Sequence, residues 1–411
     1  MIMKGVQMPV IPDPPVPMRA LLAGARRKES ALLHLIQQLV KAESPSDNKA
    51  AVDACVALAA AHAEGLGGRV RLHRQRGFGN VLEARFGPKS KAGPARRTLL
   101  LGHLDTVWPL GTLKTMPCRV DEGRLWGPGT LDMKAGAAMA LTAIEMLTEA
   151  GLLKREIVLL LNSDEEAGSP VSRPITERLA QECAAVYVLE PAQGLACKTA
   201  RKGTGSWRID VSGVAAHAGV DFEKGVSAIR ELARVVETVS GWTDLKRGLT
   251  VNVGVVGGGS KTNVIPDQAW AEIDVRIARK ADGPRMERRF AALKPVDKGC
   301  TLSVAGGINR PPMERTRGTV KLYRQARELA AELGFVLEEA STGGASDGNF
   351  TSALGIPTLD GMGAVGEGAH ARHESIVVEH LATRTALLAG LLAACDTVGA
   401  PDTLPRRTTR S

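Results

Sequence analysis

The sequence predicts an α/β protein whose main sheet is interrupted by a smaller α+β unit. Three observations carry this. Strand-length apolar runs at residues 80–86, 97–102, 156–162 and 184–190 are separated by helical stretches near 133–150 and 171–182, the alternation of an α/β sheet. Between about 198 and 312 the rhythm becomes strand, helix, two strands, helix, strand, through "WRIDVSG", a helix near 226–240, "LTVNVGVV", "AWAEIDVRIA", a helix near 284–293 and "TLSVAGG". Helices near 319–333 and 377–394 then flank "IPTLDGMG", so the first pattern resumes. Residues 1–197 and 313–411 are therefore expected to form one domain in two pieces, with 198–312 inserted between them. The Pro-rich start and the end "PDTLPRRTTRS" read as loose tails.

Composition narrows the class. With 411 residues, 44% of them hydrophobic, the chain is long enough for more than one core. Six scattered cysteines without a CxxC pair fit a reducing compartment better than a disulfide framework. The N-terminal stretch has no uninterrupted apolar run of signal-peptide length and nothing downstream approaches a membrane span, so a cytoplasmic protein without a membrane partner is expected. The net charge of +9 raises nucleic acid as a partner, but aromatic residues at 3% are too few for stacking platforms. The charge is better suited to solubility or to attracting small anions.

The strand exits carry the polar residues. "LLLGHLDTV" places His103 and Asp105 two residues apart, on one side of an extended backbone. A metal-binding imidazole needs an acceptor that fixes its orientation, and a nearby carboxylate supplies one. "RLWGPGTLDMKAGAAMAL" leaves Asp132 at the end of a glycine-rich turn leading into a helix. "IVLLLNSDEEAG" ends on the adjacent Glu165 and Glu166, and "AAVYVLEP" ends on Glu190. In open α/β sheets, sites form at the carboxyl ends of strands. Taken singly, each residue has a plain structural reading as a satisfied histidine, a helix cap or a solvated loop. The conjunction differs, because carboxylates gathered at one edge repel unless cations neutralise them. Oxygen ligands mixed with imidazole suit zinc, manganese or cobalt rather than a thiolate site.

In order and spacing, "GHLDTV", "GPGTLDMKAG", "LLNSDEEAGS", "VLEP" and "GAHARHES" resemble the signature of metallopeptidase family 20. That family includes glutamate carboxypeptidase (carboxypeptidase G), aminoacylase, acetylornithine deacetylase and succinyl-diaminopimelate desuccinylase. The resemblance spans about residues 30–397, and the stretch 102–136 is most similar to the glutamate carboxypeptidase branch. It implies a mixed central sheet covered by helices, the di-zinc exopeptidase fold, with the insert as a lid and dimerisation domain of a homodimer. It also implies two divalent metal ions per chain, zinc foremost, with cobalt or manganese as alternatives.

Carried over position by position, the resemblance makes His103 and Glu190 ligands of one metal and Glu166 and His370 ligands of the other. Asp132 is then the shared carboxylate, Glu165 the general base toward the attacking water, and Asp105 the residue that orients His103. "AHARHES" offers both His370 and His373; the family pattern, with the ligand after Gly-Ala and four residues before Glu374, selects His370. A cis peptide between Asp132 and Met133 is implied as well. In the insert, His217, Asn263 and Arg276 match substrate-contacting positions, with His217 reaching the neighbouring subunit's site to steady the oxyanion. Arg276 suits a free carboxylate, which a guanidinium binds bidentately, although pairing with Asp274 or Glu272 is its plain alternative. Lys202 and Arg310 are candidates for a second carboxylate, and Gly344, Ser346 and Asp347 resemble the family's substrate-wall loop, where mainly backbone contacts are expected. The expected activity is cleavage of an amide next to a C-terminal amino acid with a free carboxylate, such as glutamate, in a small amide or short peptide. An N-acyl-amino-acid deacylase with another acyl preference is the alternative. Glu190, where di- and tripeptidases of the family more often carry Asp, favours these two branches.

Overall fold

A computed structural model describes residues 16–89 and 97–394; both expected tails lie wholly or largely outside the described residues. The central sheet has six strands in the spatial order Arg69–His73, Val81–Phe86, Glu156–Asn162, Arg97–His103, Ala185–Val188 and Thr358–Leu359. The last four run parallel, whereas Val81–Phe86 is antiparallel to both of its neighbours, so the sheet is mixed. Glu156–Asn162 is buried at every position. An unbroken apolar run is what a strand covered on both faces requires.

Alternate residues divide between two cores, as the two-residue repeat of a strand demands. Leu100, Leu159, Leu161 and Tyr187 pack with residues of the helices Met18–Lys41, Lys49–Gly65, Ala135–Glu149 and Glu379–Ala393. Leu99, Leu101, Leu160 and Val188 pack on the other face with Leu179 and Ala180 of the helix Arg173–Gln181. The helices Met18–Lys41 and Lys49–Gly65 are additions to the expected elements. So is a small sheet formed by Arg119–Asp121, Arg124–Trp126, Ser375–Val377 and Gly366–Glu367.

The second unit is a four-stranded antiparallel sheet, ordered Thr250–Gly258, Gln268–Ile277, Gly203–Ser212 and Thr301–Arg310. Its elements follow the expected strand, helix, two strands, helix, strand order. One face buries Trp207, Ile209, Val211, Ile273 and Val275 with residues of the helices Ala228–Ser240 and Asp282–Ala291. Trp207 stacks on Phe290 with ring centroids 4.3 Å apart. The opposite face carries the exposed or half-buried Ser206, Arg208, Asp274 and Arg276.

The two units meet at a hydrogen-bonded seam. Cys197–Arg201 pairs in parallel with Glu339–Thr342, and Arg201 exchanges backbone bonds of 3.0 Å each way with Met313. At Gly203 a Cβ would come within 2.6 Å of the Arg310 carbonyl oxygen, so the entering and leaving chains can cross this closely only at glycine. Among the described residues, no helix is long and apolar enough to cross a membrane.

Candidate active site

The parallel strands deliver their carboxyl ends to one edge of the sheet, and there the imidazoles meet the acids. His103, the last residue of its strand, directs Nε2 to Asp132 Oδ1 at 3.2 Å and to Glu190 Oε1 at 3.6 Å. His370 directs Nε2 to Glu166 Oε1 at 3.0 Å and to Asp132 Oδ2 at 3.5 Å. Asp132 thus offers one oxygen to each imidazole. Donor atoms of His103, Asp132 and Glu166 all lie within 4.8 Å of one another. Converging carboxylate oxygens and imidazole nitrogens, with no thiolate, fit a hard or borderline divalent cation such as zinc or manganese.

Each donor is held from behind. Asp105 is fully buried, with its carboxylate 3.4 Å from His103 Nδ1 and its carbonyl oxygen 3.0 Å from the same nitrogen. Its carboxylate also accepts the N–H groups of Glu165 at 3.2 Å and Glu166 at 3.1 Å, and the Ser46 hydroxyl at 2.7 Å. Orienting the histidine and pinning the loop of the two glutamates are therefore one residue's work. Glu374, also fully buried, accepts the N–H groups of Gly129, Leu131 and Asp132 at 2.9, 2.9 and 3.0 Å and the Trp108 indole at 2.8 Å. It fixes the turn that delivers Asp132, whose peptide to Met133 is cis. Arg201 donates to Glu190 Oε2 at 3.3 Å while gripping Asp360 with two bonds of 2.7 Å. Glu190 is left with Oε1 toward His103. His370 itself has φ 62°, in the left-handed region that non-glycine residues adopt mainly where the surroundings demand it.

The electrostatics record a surplus of acid. Burial alone would lower His103, yet Asp105, Asp132 and Glu190 hold its imidazole well above the ordinary range. Asp132 and Glu166 push His370 up to about 10. Burial works against ionisation of Asp132, but the two imidazoles hold it well below the usual carboxylate range. Glu165 goes the other way: burial pushes it well up, against the opposing pull of Arg310.

Residues 99–394 match the peptidase family M20/M25/M40. The chain belongs to this family. This M20 enzyme is 29% identical to carboxypeptidase G2 of Pseudomonas sp. (strain RS-16) over 358 residues, 85% of each chain. It is 28% identical to a succinyl-diaminopimelate desuccinylase of Corynebacterium glutamicum over 313 residues, 73% of this chain and 82% of that one. Its fold is that of aminopeptidase PepT from Bacillus cereus, with a TM-score of 0.76 at 23% identity over 89% of this chain and 98% of that one. A dinuclear metal binding M20 peptidase from Bacillus subtilis superposes with a TM-score of 0.63 at 16% identity, over 90% and 98%. The M20 chain is thus a hydrolase acting on peptide or amide bonds.

The substrate candidates of this M20 enzyme fare unevenly. A cleft of about 390 Å³ is lined by Glu165, Glu166, Thr204, Asp274, Arg276 and Arg310, among others. Arg276 is on its wall, with Nε held by Asp274 at 2.8 and 3.1 Å. Arg310 does not stand free for a second carboxylate, because its Nη2 is bonded to Glu165. Lys202 is absent from the cleft lining; its Cε would be 3.9 Å from a Cβ on Gly248. Gly344 turns its carbonyl to Arg201 at 3.4 Å. Ser346 is fully buried with its hydroxyl on Asp360 at 2.6 Å, so its side chain supports the site from within and leaves only its backbone for the substrate-wall contact expected there. Asp347, expected on the same loop, is buried against Asn162 and Ser169. His217 and Asn263 lie together on a short ribbon, where the Ala218 N–H donates to the Asn263 carbonyl, and neither lines this cleft. Sequence reasoning missed Ser46, Arg201 and Asp360, and named Glu374 only as a spacing mark. The signal for Arg201 was its place in "ARKGTGS", one residue before the candidate Lys202.

Proposed function

We propose that this M20 enzyme is a di-metal exopeptidase cleaving the amide bond next to a C-terminal amino acid with a free carboxylate, as a glutamate carboxypeptidase does. In this reading His103, Glu190 and Asp132 hold one cation, and Glu166, His370 and Asp132 the other, with zinc the metal. Two cations so held supply Lewis acidity toward the scissile carbonyl and the attacking water. Glu165, beside them on the cleft wall, takes the water's proton and passes it to the leaving amine. Its burial, which favours the protonated carboxyl, suits a group that must carry a proton between two steps.

The observation that carries the substrate class is Arg276. It shares the cleft with Glu165 and Glu166. Asp274 engages only its Nε, and its two terminal nitrogens have no partner among the described residues. A guanidinium with an unused end beside the proposed base is what anchoring a substrate carboxylate requires. The likeness to carboxypeptidase G2 supports the same reading. The likeness to succinyl-diaminopimelate desuccinylases supports the runner-up, an N-acyl-amino-acid deacylase with a different acyl preference. N-acyl amino acids and C-terminal dipeptides, each as free acid and as amide-blocked analogue, decide the class in the zinc-reconstituted enzyme. Free acids should be cleaved far faster, and Arg276→Ala should abolish most of that preference. Equal cleavage of acids and amides by the parent enzyme would rule out the carboxypeptidase reading.

The same proposal makes the enzyme a cytoplasmic homodimer, with His217 serving the partner's site. The position of His217 outside the cleft of its own chain supports the role in trans. Mixing inactive His217→Ala and inactive Glu165→Gln proteins should recover about a quarter of parental activity after full subunit exchange, since half the dimers then carry one whole site. No recovery, with exchange confirmed by mass, would return His217 to a role in its own subunit or to none.

A further inference from the structure

The cation nearest the proposed base comes from the inserted unit. Arg310 ends the strand Thr301–Arg310, whose register against Gly203–Ser212 slips between Ile308 and Arg310. A slip of this kind bends a strand end and re-aims its side chain. Nη2 of Arg310 lies 2.9 Å from Glu165 Oε1 and 3.0 Å from the Glu165 carbonyl oxygen, so one nitrogen grips the residue at side chain and backbone together. It also donates to Ser169 Oγ at 2.8 Å and to Asp347 Oδ1 at 3.0 Å.

Those two acceptors are themselves fixed. The Ser169 hydroxyl is bonded to Asp347, which accepts Asn162 Nδ2 at 2.6 Å, and Asn162 ends the strand that leads into Glu165 and Glu166. The Phe350 ring lies 5.2 Å from the guanidinium carbon. Asn309, the neighbouring residue, ties the same loop by donating to the Gly168 carbonyl at 3.2 Å and accepting from Arg173 at 3.1 Å.

The distribution of these bonds separates two roles for Arg310. A substrate carboxylate is gripped along an edge of the guanidinium, through Nη2 with either Nε or Nη1. Nη2 is already committed to Glu165, Ser169 and Asp347, whereas buried Nε has no partner and Nη1 has only a 3.4 Å contact with Asn309. Neither edge is open for a second substrate carboxylate, and the engaged nitrogen is the one on Glu165. We propose that Arg310 is a positioning residue for Glu165, by which the inserted unit, within its own chain, fixes the direction of the base and so sets turnover rather than substrate affinity. The inference rests on the reading of Glu165 as the base.

The test compares Arg310→Ala and Arg310→Lys with the parent, as full-length zinc-reconstituted protein, on an N-acyl-glutamate and the matching N-acyl-alanine. Arg310→Ala should keep its metal content by elemental analysis and lose on the order of 10²-fold in kcat, the scale of a displaced catalytic group. The loss should be equal for both substrates, with KM changed by no more than about threefold. Arg310→Lys should recover part of it, and millimolar methylguanidinium added to Arg310→Ala should restore turnover saturably. A loss confined to the glutamate substrate and expressed in KM would overturn the proposal, making Arg310 a reader of the side-chain carboxylate. Parental kcat in Arg310→Ala would overturn it too. Should Arg310→Ala fail to fold, Arg310→Lys decides: lowered kcat at unchanged KM supports the assignment, and parental kcat refutes it. Glu165→Gln distinguishes the underlying failure, because a Glu165→Gln enzyme that still turns over would remove the base assignment itself.

Discussion

At the amino ends of two adjacent parallel strands Arg97 and Glu156 are register partners; past the carboxyl ends of the same strands come Asp105, Glu165 and Glu166. Both ends gather buried charge, and the two are balanced differently. In the first cluster, which runs from Glu156 at the amino end through Arg85 along the antiparallel strand to Glu83 opposite Leu160, every carboxylate oxygen of Glu156 and Glu83 has its own basic partner. Glu156 meets Arg69 and Arg97 at 2.7 Å each, and Glu83 meets Arg85 at 2.6 Å and His73 at 2.8 Å. Glu182 closes the network with Arg85 and Arg178 at 3.0 Å each. At the other end, Asp132, Glu166 and Glu190 share two imidazoles, with buried Arg201 divided between Glu190 and Asp360 and buried Arg310 held by Glu165. A buried carboxylate is tolerable only when paired. The amino-end network satisfies that rule from within the chain, whereas the carboxyl-end cluster, with three carboxylates to two imidazoles, is left to the cations proposed above. Composition alone would not separate the two, since both gather arginines, histidines and carboxylates around one sheet.

The largest effect that bears on this contrast is on turnover. Glu165→Gln should retain two metals per chain yet lose roughly 10² to 10⁴ in kcat, the range for a lost acid or base. Glu166→Gln should instead lose metal, as elemental analysis after desalting would show. Equal metal loss in both variants would erase the division of labour between the neighbours. A parent enzyme that takes up no more than one zinc per chain would mean that the acid surplus had been misjudged.

A smaller effect concerns stability. If the carboxyl-end cluster depends on cations, zinc at about 1,000 times its dissociation constant should stabilise the parent by about 4 kcal/mol over the chelated protein. Without metal, Glu166→Gln should remain within about 0.5 kcal/mol of the metal-free parent, because its main partner, His370, is half exposed. Thermal melts with and without chelator measure both. A metal-free variant several degrees less stable than the metal-free parent would show that the two ends are alike after all.

The same contrast explains how far the sequence could be read. Strand positions and the residues at strand exits were legible because a buried parallel strand must be an apolar run, and a site at its end must interrupt that run with polar residues. His103 and Glu166 converge for that reason, whereas Asp132 was legible from its glycine-rich turn and His370 only through the family resemblance. What happens behind them was not legible. The Ser346 side chain faces inward to Asp360, a direction that the expectation of backbone contacts left open, and Arg310, expected to meet a substrate carboxylate, meets Glu165. Neither direction follows from spacing, because each is set by an element more than a dozen residues away in sequence. Glu374 shows the same limit: its four bonds bring together residues separated by more than two hundred positions. The helices Met18–Lys41 and Lys49–Gly65 escaped for a simpler reason, since the strand alternation that organised the reading begins only after them.

The smallest effect tests the amino-end network on its own terms. Burial would raise the Glu83 carboxyl, but His73 and Arg85 outweigh it and push it down to about 2 from an ordinary 4.5. A carboxylate with a depressed folded-state pKa contributes stability that is present above its unfolded value and is lost as pH falls toward the folded one. The window is therefore pH 4.5 down to about 2. The contribution is on the order of 3 kcal/mol, for a side chain only 5% exposed. At pH 7, Glu83→Gln should cost about that much, because it leaves Arg85 and His73 buried beside a neutral amide, although Glu182 and Glu156 still reach Arg85. Below pH 4.5 the gap between parent and variant should close, since protonated Glu83 and glutamine are then alike. Urea unfolding at pH 7, 5, 4 and 3.5 on chelated protein measures the gap without interference from the metal site. A gap that stays constant with pH would mean that Glu83 acts through packing alone, and that the two ends of the sheet differ in something other than the supply of cations.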